Sequence, residues 1–291
     1  MSKKTIVSFL KLKTLFILAV GISFVFPVVA SAHEGLHEQI VSVTEKIRSS
    51  PKDPALYLKR AELYRLHKEW NNAEADLLRA ERLTPNLPAV DLGRGKLWLD
   101  AKQFSRARLA LTKYLARQPD SFEGVITIAR VFAKLRQTAN AVKYFTQAIR
   151  LAPNDSAEIY LERSEIFTAA GKIDEALHGL DEGIKKLGGI ITLQSSAVDL
   201  EVKRGRYDLA LNRLDKIMES MPRKESFLLR RGEILLQAGK PCEARFSLIA
   251  SQNGYDTLPA SRKNVRAVRT QVMRVQSLLK TASTKNCPIS P

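Results

Sequence analysis

The sequence predicts an all-α fold, an α-solenoid of stacked helix–turn–helix repeats, on three observations. An alanine recurs at steps of 34, 34, 35, 34 and 34 residues, at Ala73, Ala107, Ala141, Ala176, Ala210 and Ala244. A large apolar residue follows each alanine by four positions, and a small residue precedes five of the six by twelve. A proline or glycine stands twelve positions after five of them, where it would end the second helix of a repeat.

Each repeat contains two stretches with apolar residues at helical spacing. In residues 122–153, Val125, Ile128 and Phe132 fall on one face of the first predicted helix, and Phe145 lies on the apolar face of the second. The small residues on these faces allow two helix backbones to approach closely. The chain is therefore expected to form pairs of short amphipathic helices.

The 34-residue period and these fixed positions resemble the tetratricopeptide repeat (TPR) family. Bulky residues at the start of second helices and glycines in the turns agree with it: Trp70, Phe104, Ile173, Tyr207, Gly171, Gly205 and Gly239. Six repeats are predicted, at residues 54–87, 88–121, 122–156, 157–190, 191–224 and 225–256. Some residues depart from the family pattern: Arg60, Arg94, Arg163, Glu201, Arg231 and Pro241. The resemblance implies a right-handed solenoid with capping helices at its ends.

Residues 1–32 have the pattern of a secretory signal peptide. Four lysines flank the start of an apolar stretch from Leu15 to Val29, and Ala30-Ser31-Ala32 forms a small-residue cleavage site. An uncleaved membrane anchor is disfavoured because a bilayer span needs roughly 20 apolar residues. The mature chain is expected to begin at His33, in the periplasm or secreted. Loss of four lysines lowers the formal net charge from +17 to about +13.

Two further helices are predicted to cap the solenoid. Residues 33–53 form a half repeat whose apolar stripe ends at Ile47. The segment from Asn253 to Asp256 predicts a break after the sixth repeat, and Thr257 caps a basic closing helix over residues 257–281. Residues 282–291 form a tail. The chain from Thr257 onward has seven Lys or Arg and no Asp or Glu.

No arrangement of residues suggests catalysis or a bound cofactor, so the sequence predicts a protein that is not an enzyme. One alternative is a copper or zinc site at the mature N-terminus, where His33 and His37 lie one helical turn apart. A frayed polar terminus explains the same residues more simply. Cys242 and Cys287 are candidates for a disulfide because an exported protein can keep one. Two independent thiols are the alternative.

The basic net charge does not by itself predict nucleic-acid binding. A polyanion groove needs basic residues concentrated on one face, whereas the repeats carry both signs of charge. Only the closing helix has a single sign. Weak contact of that helix with anionic surfaces therefore remains open.

The resemblance implies that the first helices line a concave surface that binds a protein or peptide. At the fifth and ninth positions of repeats one to four, this surface would present Leu58, Glu62, Leu92, Lys96, Ile126, Arg130, Leu161 and Glu165. The carboxylate clamp of chaperone-binding members requires Lys and Asn at these positions, and Leu58 with Glu62 does not match it. The expected function is a monomeric, non-catalytic scaffold in the periplasm that binds a protein partner of unknown identity. An apolar row flanked by both charges would select the register of that partner.

Overall fold

The computed structural model describes residues 30–154 and 156–282, and every regular element in this part is an α-helix. The fifteen helices are α1 (Ala30–Ser49), α2 (Pro54–Leu66), α3 (Trp70–Leu83), α4 (Pro88–Asp100), α5 (Phe104–Arg117), α6 (Phe122–Lys134), α7 (Thr138–Leu151), α8 (Ala157–Ala169), α9 (Ile173–Leu187), α10 (Ile191–Lys203), α11 (Tyr207–Glu219), α12 (Glu225–Gln237), α13 (Pro241–Asp256), α14 (Ala260–Lys263) and α15 (Arg266–Thr281). Within α2–α13, the main contacts of each helix are with the next one or two helices. The predicted all-α solenoid is confirmed.

The repeated alanines hold the paired helices together. All six, which belong to the second helices, have no solvent exposure. On the first helix, a Cβ atom added to Gly95 would lie 2.4 Å from Cγ of Leu111, and one added to Gly232 would lie 2.6 Å from Cγ of Leu248. Since real side chains do not approach so closely, the small residue of the first helix makes room for the large residue of the second.

The turn inside each repeat contains one residue in the left-handed conformation. Gly171, Gly205 and Gly239 adopt φ values of 75°, 71° and 72° in the last three repeats. The first three repeats use basic residues with φ values of 58° to 64° at the same position: Lys68, Lys102 and Arg136. Side chains other than glycine meet a steric penalty in this conformation. The turn geometry is therefore retained in all six repeats even where the sequence lacks glycine.

The N-terminal end of the solenoid is covered by α1. Ile40, Val43 and Ile47 are buried on its inner face and belong to the same apolar core as α2 and α3. Leu36 is half-buried against this core. The predicted signal peptide lies outside the described residues up to residue 29, and residues 30–32 form the start of α1. Among the described helices, none combines the length and the apolar character that a membrane crossing needs.

The C-terminal end differs from the prediction. The segment predicted as a break, Asn253 to Asp256, is the last turn of α13. Tyr255 is 3% exposed and anchors this turn, so tertiary packing overrides the turn preference of Asn-Gly. Thr257 ends α13 instead of capping a new helix. The closing segment then forms two helices, α14 and α15, where one was predicted.

The closing helix α15 covers the sixth repeat. Its inner face buries Val275 and Leu278 in a cluster with Leu229, Leu248 and Tyr255 of α12 and α13. Solenoid repeats bury their apolar faces only against neighbours, so the last repeat requires such a cover. The rest of the predicted tail, residues 283–291, lies outside the described part of the chain.

Candidate partner-binding surface

The first-helix surface is the one formed by α2, α4, α6, α8, α10 and α12, and it includes the predicted partner-binding residues. Leu58, Leu92 and Leu161 are half-buried there, so each presents part of its side chain to solvent. Ile126 is only 6% exposed and belongs to the apolar core. The apolar row expected from the sequence is therefore interrupted at α6.

Charged residues at the N-terminal end of this surface pair with one another. Glu62 of α2 accepts hydrogen bonds from Arg65 at 2.7 Å and from Lys96 of α4 at 3.0 Å. Lys96 also donates to Glu123 of α6 at 3.0 Å, and Arg65 also pairs with Asp100 of α4. These ion pairs join three consecutive first helices. Glu62 and Lys96 were predicted to contact a partner, and the structure shows that both are already engaged within the chain.

The pKa of Glu62 reflects this pairing. The pKa of the Glu62 carboxyl group is lowered to about 2, and the hydrogen bond from Arg65 is the largest cause. The hydrogen bond from Lys96 lowers the pKa further, whereas partial burial acts to raise it. Lys96 has a raised pKa because its two glutamate partners outweigh the effect of burial. Both groups therefore keep their charges at neutral pH, and a partner would have to displace an existing ion pair to reach them.

Further ion pairs link other neighbouring first helices. Arg130 of α6 donates to Glu162 of α8 at 2.7 Å and to Glu158 at 3.2 Å. Asp199 of α10 accepts from Arg230 of α12 at 2.7 Å. The predicted contact residue Arg130 is thus also paired within the chain. Four of the five junctions between successive first helices carry such a link.

The fifth junction, between α8 and α10, has no ion pair in the described part of the chain. Glu165 of α8 is exposed and forms no ion pair with a described residue, and the same holds for Lys203 of α10. Both line an open cleft with a volume of about 370 Å³, whose accessible apolar surface comes from half-buried Leu161 and exposed Ala169. Leu200 also lines the cleft but is 8% exposed and belongs to the core. Of the eight predicted contact residues, Leu161 and Glu165 meet here beside charges that are not engaged.

A smaller cleft of about 140 Å³ lies between α2 and α4. The predicted residues Leu58 and Leu92 line it, and so do the paired Glu62 and Lys96. The structure therefore divides the predicted surface into two clefts with buried Ile126 between them. The α8–α10 cleft is the larger one and has the charges that are available to a partner.

Four arginines that depart from the family pattern form a second set of ion pairs, which the sequence did not predict. Arg60 of α2 donates to both carboxylate oxygens of Asp76 at 2.7 and 2.8 Å, and to Thr44 of α1 at 3.0 Å. Arg231 of α12 similarly contacts Asp215 of α11 and Ser247 of α13. The other two pair with glutamates of second helices: Arg94 with Glu74 and Glu81, and Arg163 with Glu182. Arg60 and Arg231 each connect the second helices of two neighbouring repeats, and so does Arg163 through Thr146 of α7. Arg94 instead joins α4 to the second helix of the preceding repeat, so all four contacts have a structural role.

Glu201 replaces the large apolar residue of the fifth repeat and is 4% exposed. Its Oε1 atom lies 3.4 Å from Nε of Arg213, which also pairs with Asp181 of α9. The apolar core is divided at this helix: Leu193, Ala197 and Leu200 pack with the preceding repeats, and Val198 packs with the following ones. The carboxylate therefore lies where one apolar cluster ends and the next begins.

The structure gives no support to a metal site in its described residues. No group of three or more His, Cys, Asp or Glu side chains within residues 30–154 and 156–282 is placed to hold a metal ion. His37 is exposed on α1, while the side chain of His33 lies outside the described part. The copper or zinc alternative stays a hypothesis. Cys242, near the start of α13, is a disulfide cysteine in the structure. Its predicted partner Cys287 lies outside the described residues, so that pairing stays a prediction.

Comparison with known proteins supports the repeat architecture. A sequence profile of the tetratricopeptide repeat matches residues 126–187 and 196–253. The C-terminal part of a TPR repeat-containing protein from Cytophaga hutchinsonii has a TM-score of 0.55 at 13% identity, over 88% of this chain and 93% of that one. The MamA protein has a TM-score of 0.51 at 19% identity, over 59% of this chain and 93% of that one. YrrB, a TPR protein with an unusual peptide-binding site, has a TM-score of 0.49 at 21% identity, over 62% of this chain and 92% of that one. Comparison with curated protein sequences finds no match.

The stacked helix pairs and their first-helix surface define a helical-repeat protein of the solenoid class. The profile match confirms the predicted tetratricopeptide repeats over residues 126–187 and 196–253, and the likeness to the Cytophaga hutchinsonii protein shows the same fold. Proteins of this family are in general non-catalytic scaffolds for protein interactions.

Proposed function

We propose that the chain is an exported scaffold that binds a peptide segment of a protein partner in the α8–α10 cleft. The observation that carries this proposal is the missing ion pair at that junction, which leaves Glu165 and Lys203 available beside Leu161 and Ala169. At the other four junctions between first helices, charges of opposite sign pair with one another, and a partner would gain less from them.

The cleft favours a particular ligand chemistry. A basic side chain would pair with Glu165, an apolar side chain would pack on Leu161 and Ala169, and an acidic group would pair with Lys203. Such an arrangement fixes the register and direction of a bound segment, because the reversed segment would place like charges together. The partner is therefore a peptide that presents an apolar residue between opposite charges.

The test starts from a displayed peptide library selected on the immobilised mature chain. We expect the enriched peptides to carry a basic residue close to an apolar one. Glu165→Lys should weaken the binding of a selected peptide by about tenfold or more, because like charges then face each other. A tenfold loss of affinity corresponds to about 1.4 kcal/mol of binding free energy. Exchange of the basic residue in the peptide for Glu should restore binding to this variant.

The matched control is Glu219→Lys, which makes the same charge change at an exposed position on α11. This control should bind the selected peptide as the wild type does. Enriched peptides without basic residues, or equal losses in the two variants, would contradict the proposal. If the peptide with Glu in place of its basic residue does not restore binding to Glu165→Lys, residue 165 is not in contact with that position of the peptide.

Export is a separate part of the proposal and rests on the pattern of residues 1–32. If the segment is removed after Ala32, the protein isolated from the cell envelope or medium should begin at His33. Intact-mass and N-terminal peptide measurements can identify this terminus. A chain that retains Met1 in that fraction would refute the predicted cleavage.

A further inference from the structure

The closing helices α14 and α15 carry charge of one sign only. Residues 257–282 contain six Lys or Arg and no Asp or Glu. We call the exposed group nearest the start of this segment the basic end surface: Arg262, Lys263, Arg266 and Arg269. The repeats taken together carry both signs of charge, although α5 and α7 also have basic residues and no acidic ones.

The charges of the basic end surface are available to a ligand. Arg262, Arg266 and Arg269 form no ion pair within the described residues. Lys263 donates to the backbone carbonyl of Asp256 at 2.7 Å, which leaves its charge without a carboxylate partner. Farther along the helix, Arg274 is instead paired with Glu233 of α12 at 3.0 Å. The arginines nearest the start of α15 are thus the ones whose charge is not neutralised.

Apolar side chains lie among these charges. Met273 is 61% exposed and Val265 is 47% exposed, although neither contributes to the buried core. Met273, Lys263, Arg266 and Arg269 line an open concavity of about 560 Å³, where the three basic side chains outnumber the one exposed carboxylate, that of Asp256. The inner face of α15 covers the sixth repeat, so the outer face has no role in closing the solenoid.

We propose that the basic end surface binds the anionic face of a lipid bilayer, with Met273 and Val265 entering the headgroup region. Arginine guanidinium groups match phosphate oxygens in geometry and charge. Exposed apolar side chains beside basic residues are typical of helices that lie in a membrane interface. A polynucleotide fits less well, because residues 257–291 contain no Phe, Tyr or Trp on which bases can stack.

This surface is separate from the α8–α10 cleft, so the inference goes beyond the proposed peptide binding. A chain held at its closing helices would still present the first helices of repeats four and five to a partner. The two activities can therefore be tested independently, and failure of one does not imply failure of the other.

The experiment is co-sedimentation of the mature chain with vesicles. Vesicles of phosphatidylcholine mixed with phosphatidylglycerol should bind the wild-type chain, and vesicles of phosphatidylcholine alone should bind it at least about tenfold less, because each basic residue near an anionic surface adds attraction. Added salt should weaken the binding. The triple variant Arg262→Gln, Arg266→Gln, Arg269→Gln should lose about tenfold or more in affinity for the anionic vesicles.

The control replaces three exposed, unpaired arginines of the second helices by glutamine: Arg82, Arg108 and Arg150. It has the same net charge as the test variant and should bind as the wild type does. Met273→Ser, which leaves every charge in place, should weaken binding without changing the circular dichroism spectrum. Equal binding to both kinds of vesicle, equal losses in the two triple variants, or tighter binding to a single-stranded oligonucleotide than to anionic vesicles would overturn the proposal.

Discussion

Truncation of the chain before Thr257 is expected to unfold the sixth repeat. The truncation removes the buried side chains Val275 and Leu278 and exposes Leu248 and Tyr255, which are 0% and 3% exposed in the structure. Burial of one such side chain contributes about 1.5–3 kcal/mol, so the combined loss is on the order of 5 kcal/mol. Because each solenoid repeat is stabilised by its neighbours, the effect should be largest in α12 and α13.

Amide hydrogen exchange measures this effect helix by helix. In the truncated chain, α12 and α13 should lose protection while α2–α7 keep theirs. Both proteins should be compared under reducing conditions, since the truncation also removes Cys287. The triple glutamine variant at Arg262, Arg266 and Arg269 changes only the outer face and should keep wild-type protection. Unchanged protection of α12 and α13 in the truncated chain would show that α15 is not a cap.

Asp76→Ala is expected to cost about 3 kcal/mol of folding free energy, because it leaves the guanidinium of Arg60 without its partner in a largely buried position. The side chain of Arg60 is 17% exposed and that of Asp76 is 7% exposed. Arg60 has a raised pKa, with the hydrogen bond to Asp76 as the largest cause. It stays charged after the substitution because a guanidinium loses its proton only at strongly alkaline pH. Chemical denaturation followed by circular dichroism measures the loss.

Two controls separate this effect from general damage. Glu175→Ala breaks an exposed pair with Lys172 at 3.9 Å and should change the free energy of unfolding by less than about 1 kcal/mol. The double variant Arg60→Leu, Asp76→Leu removes both charges and should recover much of the loss, because apolar side chains can replace a buried ion pair. If Asp76→Ala proves as mild as Glu175→Ala, the pair does not stabilise the repeat.

The repeat architecture could be predicted from the sequence because local preferences recur in every unit. The alanines that mark the second helices are all fully buried. Helices α2 and α4 begin at Pro54 and Pro88. Proline suits the first position of a helix because the N–H group that it lacks would have no partner within the helix. When six units repeat the same pattern, single residues that depart from it have little effect on where the repeats are placed in the sequence.

The exposure of individual surface residues could not be predicted in the same way. Leu92 and Ile126 occupy equivalent positions, yet Leu92 is half-buried and Ile126 is 6% exposed. The difference depends on the side chains that two neighbouring repeats place around the position, which a repeat pattern does not specify. The continuous apolar row expected across repeats one to four is therefore not formed.

The ion pairs could also not be predicted from the spacing of charged residues in the sequence. Arg60 reaches an acid 16 residues later, while Arg163 reaches one 19 residues later and Arg94 reaches one 13 residues earlier. A long side chain can reach acidic residues at several places on the adjacent helices, so no fixed interval in the sequence identifies its partner. For the same reason, the sequence does not reveal that the α8–α10 junction lacks an ion pair, and the structure shows this by comparison with the other four junctions.

The most direct test of the proposed function is to locate a selected peptide on the chain by photocrosslinking. A photoreactive amino acid at position 169, where exposed Ala169 lines the α8–α10 cleft, should crosslink to the peptide, and excess unlabelled peptide should suppress the reaction. The same group at position 113, where Lys113 is exposed on α5, should give no crosslink. Crosslinking at 113 equal to that at 169, or at neither position while the peptide still binds, would contradict binding in the α8–α10 cleft.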